Sequence, residues 1–276
     1  MGDLSWARRT GNQSMLPATL ESVSPDLTIG HFVLLAVVGA LAAAVNTVAG
    51  GGSLISFPVL IALGVPPIVA NATNTFALTL GGVTGALGYM PSLRLSSQRL
   101  AVLVPIALFG GFVGACLLLQ TNEQVFKLLV PVLLLAATIL LALRDVPLSR
   151  FVKAAPQHAV QGGMAAIFAI SVYGGYFGAC MGIVFLAALN MFIPGDLHNH
   201  NAIKNWLQCV VNVIAAAVFL TQGMVLILPG LALMAGGVVG GYVSAALSQK
   251  LNPKVLRMAI VAYSAVATIW FIAKAF

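Results

Sequence analysis

Asn201, Lys204, Gln208 and Asn212 recur every three or four residues in the stretch H198-N-H-N-A-I-K-N-W-L-Q-C-V-V-N212, with Asn205 beside Lys204. That spacing sets one cation and several amides along one face of a helix. An ammonium flanked by amide donors suits the holding of an anion. A second stretch, A49-G-G-G-S53, interrupts an apolar run with Gly50, Gly51, Gly52 and Ser53, and Pro58 follows two turns later. Glycine and proline are poor choices for a helix interior. Where a half-helix starts after such a break, its open N–H groups and the positive end of its dipole favour an anion. The two stretches point to the same ligand chemistry.

The elements that must position these groups follow from composition. The 276 residues are 60% hydrophobic and only 7% charged, with a mean hydropathy of +1.04. Long apolar stretches recur along the whole chain, which makes it an all-α polytopic membrane protein with the lipid bilayer as its solvent. A β-barrel would need ten-residue alternating segments, which are absent. The formal charge of +7 is spread singly over short connections, as at Arg94, Arg99, Lys250, Lys254 and Arg257. That is a topology signal and implies no nucleic-acid partner. Residues 1–29 are polar, lack the order of a signal peptide and read as a disordered tail. Cys116, Cys180 and Cys209 lie in apolar segments as small hydrophobes, with no disulfide framework, metal spacing or cofactor motif.

The chain also matches itself at an offset of 130 residues. Gly52 meets Gly182, Asn71-Ala72 meets Asn201-Ala202, and G110-G-F-V-G-A-C-L117 meets G240-G-Y-V-S-A-A-L247. Residues 30–146 and 160–276 therefore read as two copies of one unit, joined by a linker over 147–159. Each copy divides into five apolar segments: 30–48, 53–63, 71–89, 99–119 and 125–143, then 160–178, 181–193, 201–221, 226–248 and 254–274. The second segment in each is short, covering only about 17 Å in the first copy, so these are half-helices. Lys204 falls about one turn inside its span, with His198 and His200 in the loop before it; no Asp or Glu falls within the ten segments.

Charge orients the copies. Connection 91–99 carries Arg94 and Arg99, whereas its counterpart 221–229 carries none. Connection 120–127 is balanced by Glu123 and Lys127, whereas 250–257 carries Lys250, Lys254 and Arg257. The positive loops have changed sides, so the two five-segment repeats are inverted, about ten membrane segments in all. This puts 91–99, 144–158, 195–204 and 249–258 in the cytoplasm and both termini outside. Four plus four parallel spans with re-entrant segments is the competing arrangement. Inverted repeats interrupted at matching positions mark the binding site of a secondary transporter. Close helix packing by small residues is the competing explanation of the glycines, and snorkelling to the headgroups that of Lys204.

The run of glycines followed by S53-L-I-S-F-P-V-L60, then G64-V-P-P67, and N201-A-I-K204 with Asn212 beyond it, resembles the TauE/SafE family of sulfite and organosulfonate exporters. The resemblance covers about 30–276 and implies an anion permease for sulfite, sulfoacetate or related sulfonates. It implies a site of Gly50, Gly51, Gly52, Ser53, Asn201, Lys204 and Asn212. The stripe argument adds Asn46, Asn71, Thr73, Asn74 and Gln208. Cys180 joins them because it sits at the second break, G178-A-C-M-G182, where a glycine run is replaced.

With no carboxylate in its path, the expected activity is export of a small sulfur-containing oxyanion across the cell's inner (plasma) membrane. Each negative charge leaving gains about 2.3 kcal/mol per 100 mV. Transport of another small anion such as a carboxylate uses the same chemistry. A membrane enzyme or assembly subunit is the reading from another class, and no nucleophile–histidine or paired-carboxylate arrangement supports an enzyme. The expected partners are the anionic substrate, the bilayer and a second copy in a homodimer.

Overall fold

The computed structural model describes residues 27–48, 51–88, 97–142, 159–193, 197–247 and 253–275. The tail, most of the linker, Gly50 and the connection 91–96 lie outside the described residues. All the regular elements described are helical. They are α1 (Ile29–Val48), α2 (Ser53–Ala62), α3 (Pro67–Gly88), α4 (Ser97–Gln120) and α5 (Glu123–Ala142), followed by α6 (Ala159–Tyr176), α7 (Met181–Phe192), α8 (Leu197–Thr221), α9 (Ile227–Leu247) and α10 (Pro253–Ala275).

Among the described residues, four helices are long and apolar enough to cross a membrane, over Ile29–Asn46, Leu100–Gln120, Glu123–Ala142 and Asn199–Thr221. Large apolar side chains on their outer faces are exposed, among them Val33, Val37 and Leu41 on α1 and Val132 and Ile139 on α5. Such a sheath needs lipid to cover it.

The segments expected from the sequence reappear with shifted ends. Helices α3 and α8 begin at Pro67 and Leu197, one turn before Asn71 and Asn201. Pro67 opens its helix because the first position needs no N–H partner and proline's fixed φ suits the turn. The same shift places His198 and His200 inside α8, where His200 is buried and its Nδ1 meets Asn190 Oδ1. They are helical residues, not loop residues. Lys204 falls in the second turn. Helix α5 likewise starts two residues early, at Glu123, whose carboxylate accepts Ile68 N–H at 3.3 Å and so ties the starts of α3 and α5.

The helices interlock in a crossed pattern. Helix α1 packs on α9 and α6 on α4, while α3 lies against both α8 and α9, α8 against α4, and α5 against α10. Backbone meets backbone at the first two contacts. A Cβ on Gly236 would overlap the Ala36 carbonyl oxygen, and one on Gly39 the Leu233 carbonyl. Gly114 is held as closely against Val172, and Gly175 against Gly111. These small-residue contacts, in G236-G-V-V-G240 and G110-G-F-V-G114 on one side of each pair, let van der Waals packing act where lipid supplies no hydrophobic drive.

Candidate functional site

Both short helices begin where the chain breaks. Helix α1 ends at Val48 and α2 starts at Ser53, after Gly52. Gly52 has room for hydrogen only: a Cβ there would strike the Ala42 carbonyl and come within 2.9 Å of Asn46 Cβ. Pro58 in α2 lacks the N–H that the Leu54 carbonyl would otherwise bind, which keeps this helix short and irregular. The second break runs from Phe177 to Cys180. Tyr173 holds it by donating its hydroxyl to the Ala179 carbonyl at 2.6 Å.

Cys180 caps α7 in a left-handed conformation, φ 59° and ψ 13°, and makes no side-chain cap hydrogen bond. Among the described residues it is the one non-glycine with positive φ, a state that costs an L-residue about 1–2 kcal/mol. At the offset of 130 its counterpart is Gly50, for which that conformation is free. Cys180→Gly should therefore stay within about 1 kcal/mol of the parent stability. Cys180→Val, β-branched in the same geometry, should lose about 2 kcal/mol or more. Thermal unfolding of the two purified variants checks the contrast, and equal losses would mean that the backbone there is not constrained.

The two breaks abut. A Cβ built on Gly51 would lie 3.4 Å from Cys180 Sγ, so the starts of α2 and α7 meet inside the bundle. Gly51, Gly52 and Cys180 are buried and Ser53 is half-buried. Two positive helix ends share one neighbourhood there.

The polar stripe of α8 faces inward beside them. Lys204 is 2% exposed, and Asn205, Gln208 and Asn212 are buried with it; Asn201 is half-buried. Gln208 Nε2 donates to Asn46 Oδ1 at 3.0 Å, which joins the stripe to the last turn of α1, just before the first break. Among the described residues Lys204 is the one buried lysine, arginine or carboxylate-bearing side chain.

Helix α3 does the corresponding work on the other side. Asn71 Nδ2 donates to the Tyr176 carbonyl at 3.0 Å, at the last turn of α6 before the second break. Ser56 of α2 donates to Asn74 Oδ1. Thr73 is also buried, but it lies on the opposite face of α3, where its hydroxyl accepts Leu226 N–H at 3.0 Å and steadies the start of α9. The structure thus gathers Asn46, Gly51, Gly52, Asn71, Asn74, Cys180, Gln208 and Lys204's stripe, and leaves Thr73 apart.

The sequence reading missed Ser56 and Tyr173, which brace the breaks from within. Ser56 stood in plain view as a second hydroxyl in S53-L-I-S56, four residues after Gly52. Nothing in local spacing pointed to Tyr173. The assembled groups offer helix-end N–H groups and amides, with one ammonium buried along the same stripe of α8, a set suited to binding an oxyanion.

Comparison with known proteins bears on what such a site is for. The family model described as "Sulfite exporter TauE/SafE" matches residues 35–271. A "Probable membrane transporter protein" of Haemophilus influenzae is 24% identical over 243 residues, covering 88% of this chain and 95% of that one. The "Probable membrane transporter protein YfcA" of Escherichia coli K12 is 26% identical over 254 residues, 90% of each chain. An Arabidopsis thaliana "Sulfite exporter TauE/SafE family protein 3" is 33% identical over a stretch of 90 residues, 32% of this chain and 19% of its own. No solved structure gives a significant match.

Proposed function

The chain belongs to the sulfite exporter TauE/SafE family, and from that premise we propose that it exports a small sulfur-containing oxyanion, sulfite or an organosulfonate such as sulfoacetate, by alternating access. It is a multi-pass membrane protein of a transporter family and not an enzyme. The membrane is the cell's inner membrane, where the resting potential drives an anion outward.

The observation that carries this reading is the meeting of the two half-helix starts at Gly51 and Cys180. In our reading Gly51, Gly52, Ser53 and Cys180 present backbone N–H groups to the substrate oxygens, and Gly50 belongs to the same site. Lys204 supplies the countercharge, and Asn46, Asn71, Asn74, Asn201, Gln208 and Asn212 wall the site. Support for two related copies comes from the packing. Gly110 and Gly240, related by the offset of 130, each lie against the first helix of the other copy, Gly110 at Ser171 and Gly240 at Ala40. Likewise each third helix hydrogen-bonds the end of the other copy's first helix, through Asn71 to Tyr176 and Gln208 to Asn46. In this arrangement one repeat rocks against the other about the shared site.

Purified protein reconstituted in vesicles loaded with sulfite tests the proposal. Efflux should be faster with an inside-negative potential, because each exported charge gains about 2.3 kcal/mol per 100 mV. Sulfite retention equal to that of loaded vesicles without the protein, with the sulfonates also retained, would remove the substrate class.

A further inference from the structure

Helices α6 and α7 run antiparallel as a hairpin. A Cβ on Gly162 or Gly163, near the start of α6, would meet Phe192 at the end of α7, and one on Gly174 would overlap Met181 at the other end. The tip of this hairpin is the second break, F177-G-A-C180. Gly178 turns the chain there at a positive φ of 74°, two residues before the left-handed Cys180.

Phe177, buried at the tip, is held between two rings. It meets Phe57 of α2 edge to face, with centroids 5.4 Å apart at 87°, and Phe126 of α5 at 6.2 Å and 66°. Phe57 also stacks on Phe271 of α10 at 6.3 Å, and Phe126 meets Tyr176 at 5.8 Å. The Tyr176 hydroxyl lies 3.3 Å from that of Thr121, in the connection between α4 and α5, where Asn122 is exposed. A run of rings thus leads from the break to one end of the bundle.

The related positions encode nothing similar. At the offset of 130, Phe57, Phe126, Tyr176, Phe177 and Phe271 answer to Ala187, Leu256, Asn46, Thr47 and Leu141. Asn46 is joined to Gln208 by a hydrogen bond instead. The first break is flanked by an amide pair where the second is flanked by rings. The two differ in what they do to an anion. An amide can pass hydrogen bonds to an oxyanion, whereas packed rings offer none, and an apolar constriction excludes water and charge together. The ring side stays shut to an anion until the rings part.

We propose that this ring stack is a gate on the transport path, and that Phe177, carried on the tip of the α6–α7 hairpin, is the side chain that closes it. The inference rests on the anion-transport reading and adds a moving part to it. Opening requires Phe177 to leave the Phe57 and Phe126 rings, a step between two discrete packings. The charge pattern of the connections puts the α4–α5 end of the bundle outside, so this is the outer gate.

Cys180 reports on the gate, because it is buried three residues past Phe177. Replacing Cys116 and Cys209 by alanine leaves it as the sole thiol. Its labelling by a membrane-impermeant, negatively charged methanethiosulfonate is timed from each face. Spheroplasts present the outer face and inside-out vesicles the inner one. Phe177→Ala should speed outer-face labelling by about tenfold or more, the shift expected when two angled ring contacts are lost, and leave the inner-face rate within about twofold. Phe177→Leu fills more of the space and should move the outer rate the same way by less. It serves where the alanine variant does not fold. Phe109→Ala is the control. It breaks a ring pair with Phe168 at 5.9 Å, where Phe109 is 63% exposed, and should change neither rate. An outer-face rate unmoved in a folded Phe177 variant, or raised equally from both faces, would reduce the stack to core packing and leave the transport reading intact. Absence of sulfite and sulfonate flux from the parent protein would tell against the transport reading instead, whatever the labelling shows.

Discussion

Lys204→Met should lower sulfite flux in vesicles by about 100-fold or more, with the protein still folded and inserted. The estimate follows from removing one partner of a buried, hydrogen-bonded charge interaction, which costs 2 kcal/mol or more. Lys204 is 2% exposed within the helical bundle, in the second turn of α8. A lysine that merely anchors a helix end extends to the headgroups instead. Its counterpart at the offset of 130 is the neutral Asn74, so the site holds one ammonium, not two. Methionine matches the length of the stem, so packing survives while the charge is lost. Lys204→Arg should recover only part of the flux, since a planar fork does not fit where a compact ammonium sat. Flux in Lys204→Met equal to wild type would return Lys204 to a packing role and move the countercharge elsewhere.

The second large effect is on the fold. Gly236→Val and Gly114→Val should each cost about 3 kcal/mol, the upper part of the range for overpacking. In both positions the added atoms collide with backbone, the Ala36 carbonyl for Gly236 and the Val172 carbonyl for Gly114. A side chain can rotate away from a collision, but a carbonyl inside a helix cannot move without its helix. Gly30→Ala is the control, since its Cβ would meet only Thr28 Oγ1 at an ordinary 3.7 Å; it should stay within about 0.5 kcal/mol. Thermal unfolding in detergent, followed by size-exclusion recovery, measures all three. Normal stability in Gly236→Val would mean that α1 and α9 are not held backbone to backbone.

Much of this architecture is written in local pattern. Apolar run lengths gave the ten segments to within a few residues, because a helix in lipid must close its own hydrogen bonds and so declares its extent. Helix α3 began a turn earlier than expected because Pro67 serves as its first helical residue. The stripe from Asn201 to Asn212 was legible because a buried polar face has a helical period. Two kinds of information were not. The face of α3 taken by Thr73 depends on where Leu226 lies, 153 positions along the chain. The left-handed turn at Cys180 depends on packing that no spacing announces, since cysteine has no preference for it. Pairing across the two halves is a property of the closed bundle, and the sequence carries only its ends.

The crossed packing of α1 on α9 has a consequence for the chain as it is made. Gly39 finds its surface at Leu233 and Gly237, about 200 residues downstream, which at about 5–20 residues per second takes about 10–40 s to synthesise. For that interval the small-residue groove of α1 stands in the bilayer without its mate. The nascent protein must wait with an adhesive seam open, and any other small-residue helix leaving the insertion machinery competes for it. Biogenesis of this protein is thus a problem of timing as much as of stability, and the last helices to emerge are the ones that close the first.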